Sequence, residues 1–424
     1  MWAETYAAFG RERISMKIKS DNPEDDGLFS PQPNRPTILC FVAYYLPGYR
    51  SGGPVRTIAN FVDHLGDGFD IRIVTRDRDA LDTEPYPSVE VDAWNTVGKA
   101  QVFYASGKTL NLRGIAKLLR ETPRNVLYLN SFFAFGFTGL PLLARRLGIA
   151  PRNPCVIAPR GEFSQGAIAL KAWKKRPYMR VTRMMGLYSG LHWQASSEFE
   201  VSDIQRELDV PAEDISVAPN LPPAIEPAGL GEASHQPRGD GPLRLVFLSR
   251  ISPKKNLDFL LEVLTEVNFD VVLDIYGVVD DEDHWGYCKT LIAQLPASVE
   301  VNYEGVIPHS KVSRVIANYD LFVLPTRGEN YGHAIAEALT QGTPVLISDQ
   351  TPWRDLERYG AGWDLPLDKK YRFLDAITRV NSMERADYLA LRQSTADYAR
   401  RKLSDPSIAE SNRCLFDHLL GVER

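Results

Sequence analysis

The stretch PTRGENYGHAIAEALTQGTPVLIS, residues 325–348, decides the fold of this chain. It follows an apolar strand with a glycine-containing loop, a helical stretch that begins near Gly332, a glycine stop at Gly342 and a second apolar strand. This succession predicts one unit of a parallel sheet covered by helices. Its loop lies at the carboxyl end of a strand, where open α/β sheets bind ligands.

Two glutamates in this stretch are separated by seven residues, with Glu329 in the loop and Glu337 inside the helix. Glu337 should lie about 7 to 8 Å along the helix axis, so the two carboxylates can contact two parts of one extended ligand. Between them, the backbone N–H groups of Gly332, His333 and Ala334 and the positive end of the helix dipole suit a diphosphate. Spacing alone also fits an ordinary βα turn with a surface glutamate and a capping glutamate.

The alternation of strands and helices extends over most of the chain. One series begins with TILCFVAYYL at Thr37 and a second with LRLVFLS at Leu243, so the 424 residues predict two Rossmann-like α/β domains. The predicted boundaries are a flexible extension over 1–35, an N-terminal domain over 36–220, a Pro- and Gly-rich linker over 221–242, a C-terminal domain over 243–405 and a final helical segment over 406–424, able to pack back on the N-terminal domain.

Composition excludes several classes of protein. The formal net charge of −5 gives no global reason to expect nucleic-acid binding. The four cysteines form no CxxC pair, so reduced and mostly buried thiols are expected. No apolar run approaches the roughly 20 residues of a membrane span, and the polar N-terminus has no secretory pattern. We therefore expect a cytoplasmic protein.

Two cations follow the first strand of the second series, in LRLVFLSRISPKKNLDFLLEVL. Arg250 stands at the end of the strand and Lys255 just before the next helix. Arginine can bind phosphate oxygens bidentately and lysine acts as a point charge, so together they can neutralise a diphosphate. Two solvated surface cations are the alternative.

Together these segments resemble a family, the retaining glycosyltransferases of family 4. SRISPKKNLDFLL is similar to its arginine and lysine motif, although Asn256 stands where the family usually has glycine, and GENYGHAIAEALTQGTPV is similar to its two-glutamate motif. The resemblance covers about Thr37 to the C-terminus. It implies the GT-B fold, in which an N-terminal acceptor domain and a C-terminal nucleotide-sugar donor domain face each other across a cleft.

The resemblance also implies roles for individual residues. Arg250 and Lys255 would bind the donor diphosphate, Glu329 would contact the donor sugar, and these three are the predicted catalytic residues. Glu337 would hold the ribose hydroxyls. The other predicted donor-binding residues are Gly52, Gly53, Val306, Ile307, Tyr331, Gly332, His333 and Ala334.

In the N-terminal domain, Gly52 and Gly53 stand between the first strand and the first helix and resemble the family's glycine-rich loop, which lets the backbone approach a phosphate. No complete GxGxxG is present. Arg160 and Glu162 follow a later strand, near a point where many family members have histidine. We expect them to contact the sugar or the acceptor, or else to form a structural salt bridge.

A basic segment from Lys171 to Arg183 contains aromatic residues and lies in a stretch without acidic residues between Glu162 and Glu198. This pattern predicts contact with an anionic membrane surface, as expected for an acceptor carried on a lipid diphosphate. A solvated helix face and a phosphate-rich acceptor pocket are the alternatives.

The predicted function is a retaining, metal-independent hexosyltransferase. It would move a sugar from a nucleotide diphosphate sugar to a glycan or lipid-linked acceptor in cell-surface polysaccharide or lipopolysaccharide synthesis, without a cofactor, peripheral on the inner membrane face. The acidic run 280–283 is interpreted as a solvated loop rather than a metal site. A nucleotide-sugar epimerase of the same fold and a noncatalytic sugar-nucleotide binding subunit are the competing hypotheses.

Overall fold

The structure, a computed structural model, describes residues 35–169, 172–223 and 241–422. The predicted N-terminal extension except Arg35, most of the predicted linker, and Lys171 lie outside the described residues.

The first half of the chain forms an eight-stranded sheet of order β3-β4-β2-β1-β5-β6-β7-β8. Its strands are β1 (Thr37–Phe41), β2 (Asp70–Arg76), β3 (Trp94–Val97), β4 (Ala100–Ala105), β5 (Val126–Asn130), β6 (Cys155–Ala158), β7 (His192–Ala195) and β8 (Ile215–Val217). The helices are α1 (Gly53–Leu65), α2 (Leu112–Glu121), α3 (Leu140–Arg146), α4 (Gln165–Ala169), α5 (Ala172–Met184) and α6 (Glu198–Leu208), with a π-helical turn at Phe135–Gly139 and a 3-10 turn at Ala212–Asp214. Neighbouring strands are parallel except for the edge strand β3, which is antiparallel to β4.

The second half forms a six-stranded, fully parallel sheet of order β11-β10-β9-β12-β13-β14. Its strands are β9 (Leu243–Leu248), β10 (Val271–Tyr276), β11 (Val299–Gly305), β12 (Leu321–Leu324), β13 (Val345–Ser348) and β14 (Gly362–Leu365). The helices are α7 (Leu257–Leu264), α8 (Glu282–Ile292), α9 (His309–Ile316), α10 (His333–Thr340), α11 (Lys370–Ser382) and α12 (Arg385–Leu403). The predicted α/β class with two Rossmann-like sheets is confirmed.

The last helix, α13 (Pro406–Leu420), packs on the first sheet rather than the second. The ring of Phe416 lies 5.4 Å from that of Phe61 in α1 and 5.3 Å from that of Tyr128 in β5. Asn412 donates from Nδ2 to the carbonyl oxygen of Pro219, 2.7 Å away. The chain therefore returns to its N-terminal half after completing the second sheet.

The strand order of each sheet determines where the candidate functional loops lie. In the first sheet, β1 lies between β2 and β5, and in the second, β9 lies between β10 and β12. The helices α1, α7 and α10 follow β1, β9 and β12, at or beside the points where the strand order changes direction. Ligands of open α/β sheets bind at such switch points, at the carboxyl ends of the strands.

The acidic run 280–283 is only partly a loop, so the prediction is wrong for its second half. Helix α8 begins at Glu282, and the side chain of Asp281 caps it by accepting from the backbone N–H of His284 at 2.9 Å. Carboxylates at the first turn complement the helix dipole, which explains why the run starts a helix. Asp280 lies outside it and pairs with Arg250 at 2.9 Å.

None of the cysteines forms a disulfide; Cys40, Cys155 and Cys288 are buried and Cys414 is exposed. Burial raises the pKa of the Cys40 thiol to about 12, so this thiol is a poor nucleophile. Within the described part of the chain, no helix combines the length and the apolar character that crossing a bilayer requires.

Candidate functional site

A cavity of about 610 Å³ lies at the carboxyl ends of both sheets and is lined by residues from both halves of the chain. This volume is within the range of small-molecule binding sites, about 300 to 1,000 Å³. Every site residue named from the sequence lines it: Gly52, Gly53, Arg160, Glu162, Arg250, Lys255, Val306, Ile307, Glu329, Tyr331, Gly332, His333, Ala334 and Glu337. The folded chain therefore brings the whole predicted set to one place.

The N-terminus of α10 opens into this cavity without a side-chain cap. Gly332 is the N-cap residue, with a left-handed backbone at φ 78. A Cβ added there would lie 2.8 Å from Cδ1 of Ile335. The indole Nε1 of Trp353 donates to the carbonyl oxygen of Tyr331 at 2.5 Å and holds the loop from behind. The first N–H groups of α10 thus remain available to an anion.

The N-terminus of α1 is a second uncapped helix start in the same cavity. Gly52 is its N-cap, with φ 58 and no side-chain hydrogen bond, and Pro54 follows inside the first turn. A Cβ placed on Gly52 would have no heavy atom within 4 Å. The loop therefore presents bare backbone to the cavity, from the sheet opposite α10.

Lys255 and Glu329 form an ion pair whose side chains are only 13% and 11% exposed. Lys254 lies beside them, and burial lowers its pKa while the charge of Glu329 acts in the opposite direction. Both lysines therefore have the carboxylate of Glu329 close by, and Glu329 is paired with Lys255.

The departure from the family glycine at Asn256 has a structural explanation. Asn256 caps α7 with a left-handed backbone at φ 62, a conformation that asparagine tolerates better than most residues with a side chain. Its Nδ2 donates to the carbonyl oxygen of Pro325 at 2.9 Å, and its Oδ1 accepts from Nε of Arg327 at 2.9 Å. Asparagine thus keeps the left-handed turn, and its side chain links the loop that contains Lys255 to the loop that contains Glu329.

Glu337 faces His309 and Arg56 at the other end of the cavity. Its Oε1 lies 3.3 Å from Nδ1 of His309. Burial raises the pKa of Glu337 to about 7, partly offset by the charge of Arg56, and burial lowers the pKa of His309 to about 4. Because burial favours the neutral form of both groups, their contact between about pH 4 and pH 7 does not join two full charges.

Two hydrogen bonds join the halves of the chain across the cavity. Nε2 of His333 lies 3.0 Å from Oγ1 of Thr57 in α1, and Oγ of Ser196 donates to Oδ1 of Asn330 at 2.5 Å. Burial lowers the pKa of His333 to about 3, so this imidazole is neutral near pH 7. The His333–Thr57 contact joins the start of α10 to the first turns of α1, and the Ser196–Asn330 contact joins the two halves at another point.

Glu162 lines the cavity, but its carboxylate is bound by the protein. It accepts from Oγ of Ser131 at 2.6 Å and from the backbone N–H groups of Phe132 and Phe133 at 2.5 and 3.1 Å. Arg160 forms no ion pair with it; its guanidinium donates to Asn130, Tyr128 and Asn220. The alternative of an Arg160–Glu162 salt bridge is therefore wrong.

Several cavity residues were not identified from the sequence, among them Arg56, Lys254, His309 and Asn330. Lys254 and Asn330 each adjoin a predicted residue in the sequence. Their positions beside these motifs were the signal from which they could have been predicted. Arg56 belongs to the first turn of a helix whose face could not be assigned before the two sheets were placed opposite each other.

Comparison with known proteins gives a family match for the second half of the chain. Residues 233–402 match the family model described as "Glycosyl transferases group 1". A phosphatidyl-myo-inositol mannosyltransferase of Mycobacterium tuberculosis is 28% identical over 200 residues, 45% of this chain and 50% of that protein. The GtfA subunit of a UDP-N-acetylglucosamine–peptide N-acetylglucosaminyltransferase of Streptococcus pneumoniae is 24% identical over 115 residues, 26% of this chain and 22% of that protein. The chain thus spans half or less of the length of these relatives.

The fold comparison covers more of the chain. Anabaena Alr3699/HepE, solved in complex with UDP and glucose, superposes with a TM-score of 0.65 at 14% identity, covering 91% of this chain and 100% of that one. Residues 233–402 therefore resemble the glycosyl transferases group 1 family, and the chain has the two-domain GT-B fold.

Proposed function

We propose that this chain is a retaining glycosyltransferase, which moves a hexose-type sugar from a nucleotide diphosphate sugar to a glycan or lipid-linked acceptor in cell-surface polysaccharide synthesis. The observation that carries the proposal is the convergence of two uncapped helix N-termini and the Lys255–Glu329 pair on one cavity. A diphosphate matches this arrangement, because helix N-termini and lysine both bind phosphate oxygens.

In the proposed reaction, the second domain holds the donor. Lys255, Arg250 and the N-terminus of α10 stabilise the charge that develops on the departing nucleoside diphosphate, and the Gly52–Gly53 loop approaches it from the first domain. Arg250 is half-exposed and paired with Asp280, so it is free to exchange this surface partner for a phosphate. Val306 and Ile307 line the part of the cavity assigned to the base.

The carboxylates lining the described cavity argue against a covalent mechanism. Glu329 is paired with Lys255, Glu162 is bound by backbone N–H groups, and Glu337 contacts His309. We therefore propose same-face attack by the acceptor hydroxyl, with a donor phosphate oxygen accepting its proton. Contacts such as His333–Thr57 keep water out of the closed cleft while this happens.

No metal is required by this scheme, because lysine, arginine and a helix N-terminus occupy the role that a divalent cation plays at other diphosphates. The test is nucleotide release from UDP-, GDP- and ADP-sugars, with and without EDTA. Release from one donor, unchanged by EDTA, supports transfer without metal. Activity abolished by EDTA and restored by a divalent cation contradicts it, and tight donor binding without release or transfer, even with crude lipid-linked acceptors, favours a noncatalytic subunit.

The raised pKa of Glu337 predicts that donor affinity depends on pH. Because its pKa is raised to about 7 by burial, it ionises between pH 6 and 8, and an ionised carboxylate accepts more strongly from ribose hydroxyls. Donor affinity is expected to rise about tenfold over this range, following the ionised fraction. Calorimetric titration at pH 6, 7 and 8 would measure it.

The matched control for this titration is Glu337→Gln, which keeps the shape of the side chain and removes its ionisation. Its donor affinity should be weak and nearly independent of pH. If the wild type and Glu337→Gln show the same pH dependence, another group titrates and the assigned role of Glu337 is wrong.

The acceptor side includes the basic helix α5, which exposes apolar and cationic side chains together. Trp173 and Met184 are 73% and 88% exposed, and Lys174, Arg176 and Arg180 are exposed on the same helix. Such a surface suits an anionic membrane, where each cation contributes about 1 kcal/mol. We propose that α5 places the cleft beside a lipid-linked acceptor.

Charge reversal tests this surface. Lys174→Glu with Arg180→Glu is expected to weaken binding to phosphatidylglycerol vesicles at least about tenfold. Lys108→Glu with Arg113→Glu changes the net charge equally at exposed positions of the same domain and should bind like the wild type. Co-sedimentation measures both, and equal losses in the two variants, or wild-type binding to pure phosphatidylcholine, would contradict a role specific to α5.

A further inference from the structure

Arg160 lines the cavity and forms hydrogen bonds only with neutral acceptors. Its guanidinium donates from Nε and Nη2 to Oδ1 of Asn130 at 3.2 and 2.9 Å, from Nη1 to Oδ1 of Asn220 at 2.5 Å, and from Nη2 to the hydroxyl of Tyr128. All of these acceptors are neutral. A guanidinium has five N–H groups, so four bonds leave one on Nη1.

The other cations that line the described cavity each have a carboxylate nearby. Arg50 pairs with Asp82, Arg250 with Asp280 and Lys255 with Glu329. The charge of Glu329 also acts on Lys254, and that of Glu337 acts on Arg56. No carboxylate of the described residues forms an ion pair or a hydrogen bond with Arg160. Arg160 therefore differs from Arg50, Arg250 and Lys255 in that all of its hydrogen-bond acceptors are neutral.

The backbone holds Arg160 in an unusual conformation. Arg160 and Gly161 are both left-handed, with φ 59 and φ 75. The loop is fixed by Glu200, a buried residue whose Oε1 accepts from the N–H of Gly161 at 2.5 Å and whose Oε2 accepts from Oγ of Ser196 at 2.6 Å. A non-glycine residue kept in this region of backbone space is a feature that surrounding contacts must enforce, and such residues concentrate at functional sites.

The position of Arg160 in the fold indicates which part of a ligand it would contact. It follows β6 in the first sheet, whereas Arg250, Lys254 and Lys255 belong to the second. The pKa of His333 is lowered by burial first and also by the charges of Arg56, His309 and Arg160, so Arg160 lies within electrostatic range of the start of α10. The proposed function assigns the cations of the second domain to the diphosphate, so Arg160, on the first domain, is assigned to another part of the ligand.

We infer that Arg160 binds a carboxylate carried by the sugar in the cleft, so that the substrate is a hexuronic acid rather than a neutral hexose. The inference rests on the proposed function and narrows its substrate class. The carboxylate belongs either to the donor sugar or to the acceptor sugar, since both meet at this point. A charge-assisted hydrogen bond from the remaining N–H group on Nη1 provides the recognition.

The test compares wild type with Arg160→Gln on matched donors, UDP-glucose with UDP-glucuronic acid and GDP-mannose with GDP-mannuronic acid. We expect the wild type to prefer one hexuronate donor and the variant to lose this preference by about 10- to 100-fold, the value of a hydrogen bond to a charged group. Arg50→Gln is the matched control, because Arg50 lines the same cavity but has a carboxylate partner. It should change both members of each pair by the same factor.

A second arm separates the acceptor from the donor. If neutral donors are used equally by both proteins, transfer to p-nitrophenyl glucuronide should exceed transfer to p-nitrophenyl glucoside in the wild type and not in Arg160→Gln. That result also supports the inference and assigns the carboxylate to the acceptor. Equal losses for all donors together with weaker binding of UDP or GDP alone would show Arg160 to be a diphosphate ligand, and this outcome or the absence of any hexuronate preference in either arm overturns the inference.

Calorimetry distinguishes this failure from failure of the proposed function. Tighter binding of a hexuronate donor than of its neutral partner, lost in Arg160→Gln, supports the inference even if no donor is turned over. Turnover of neutral substrates without any hexuronate preference leaves the glycosyltransferase proposal standing and removes the inference. Thermal unfolding of each variant verifies that it is folded.

Discussion

Lys255→Ala is expected to reduce kcat/KM for sugar transfer by about 100- to 1,000-fold, the usual cost of removing one charged donor from a developing anion. Lys255 is buried beside Glu329 and forms an ion pair with it. The variant also leaves Glu329 buried without its partner, which should cost about 3 to 5 kcal/mol of stability. Activity and thermal unfolding must therefore be measured together.

A double variant separates the two effects. Lys255→Met with Glu329→Gln removes both charges, so it should unfold close to the wild type while remaining inactive. Lys255→Arg keeps the charge and should retain partial activity. Recovery of transfer in the charge-free double variant would mean that Lys255 acts only through stability, and the assignment of a catalytic cation would then be wrong.

Gly332→Ala should weaken donor binding by about 100-fold, because a displacement of about 1 Å in the phosphate contact costs this much. The backbone of Gly332 is left-handed, and the new Cβ would lie 2.8 Å from Cδ1 of Ile335. The methyl group would also occupy the approach to the first N–H groups of α10. Fluorescence or calorimetric titration with the nucleotide alone would measure the loss.

Gly98→Ala is the matched control for this substitution. Gly98 has the same sign of φ, at 58, but a Cβ there meets no heavy atom within 4 Å, and it lies in the β3–β4 turn outside the cavity. It should cost about 1 to 2 kcal/mol through the backbone alone and leave nucleotide affinity unchanged. Equal nucleotide affinity in Gly332→Ala and Gly98→Ala would show that the α10 N-terminus does not bind the phosphates.

Much of the fold could be predicted because parallel strands buried on both faces are continuous apolar runs that alternate with helical stretches. The starts of β1 and β9, and the helices after Asn256 and Gly332, follow directly from these patterns. The antiparallel edge strand β3 could not be predicted in this way, because its four residues, WNTV, are half exposed and show no apolar run. The helical start of the acidic run was missed because capping depends on neighbours that only become a helix together.

Arg250, Lys255 and Glu329 were found through their positions at strand ends, which local sequence encodes. Val306 and Ile307 were predicted from the family resemblance. The local sequence did not predict which of these residues form pairs. Lys255 with Glu329 and Arg250 with Asp280 are separated by 74 and 30 residues, and Glu162 is bound by the backbone of the loop after β5 instead of by Arg160. The roles of Arg56 and His309 depend on Glu337, which comes from a different helix.

The sequence by itself determined that this chain folds as two α/β units with a phosphate-suited loop at Gly332, because periodicity and glycine positions act over a few residues. Only the tertiary structure decided which charges are compensated. Ion pairing and burial depend on distances between segments far apart in the chain, and these distances exist only after the two sheets face each other. The difference is clearest at Arg160, which the sequence placed at the end of a strand and which the fold surrounds with neutral oxygens.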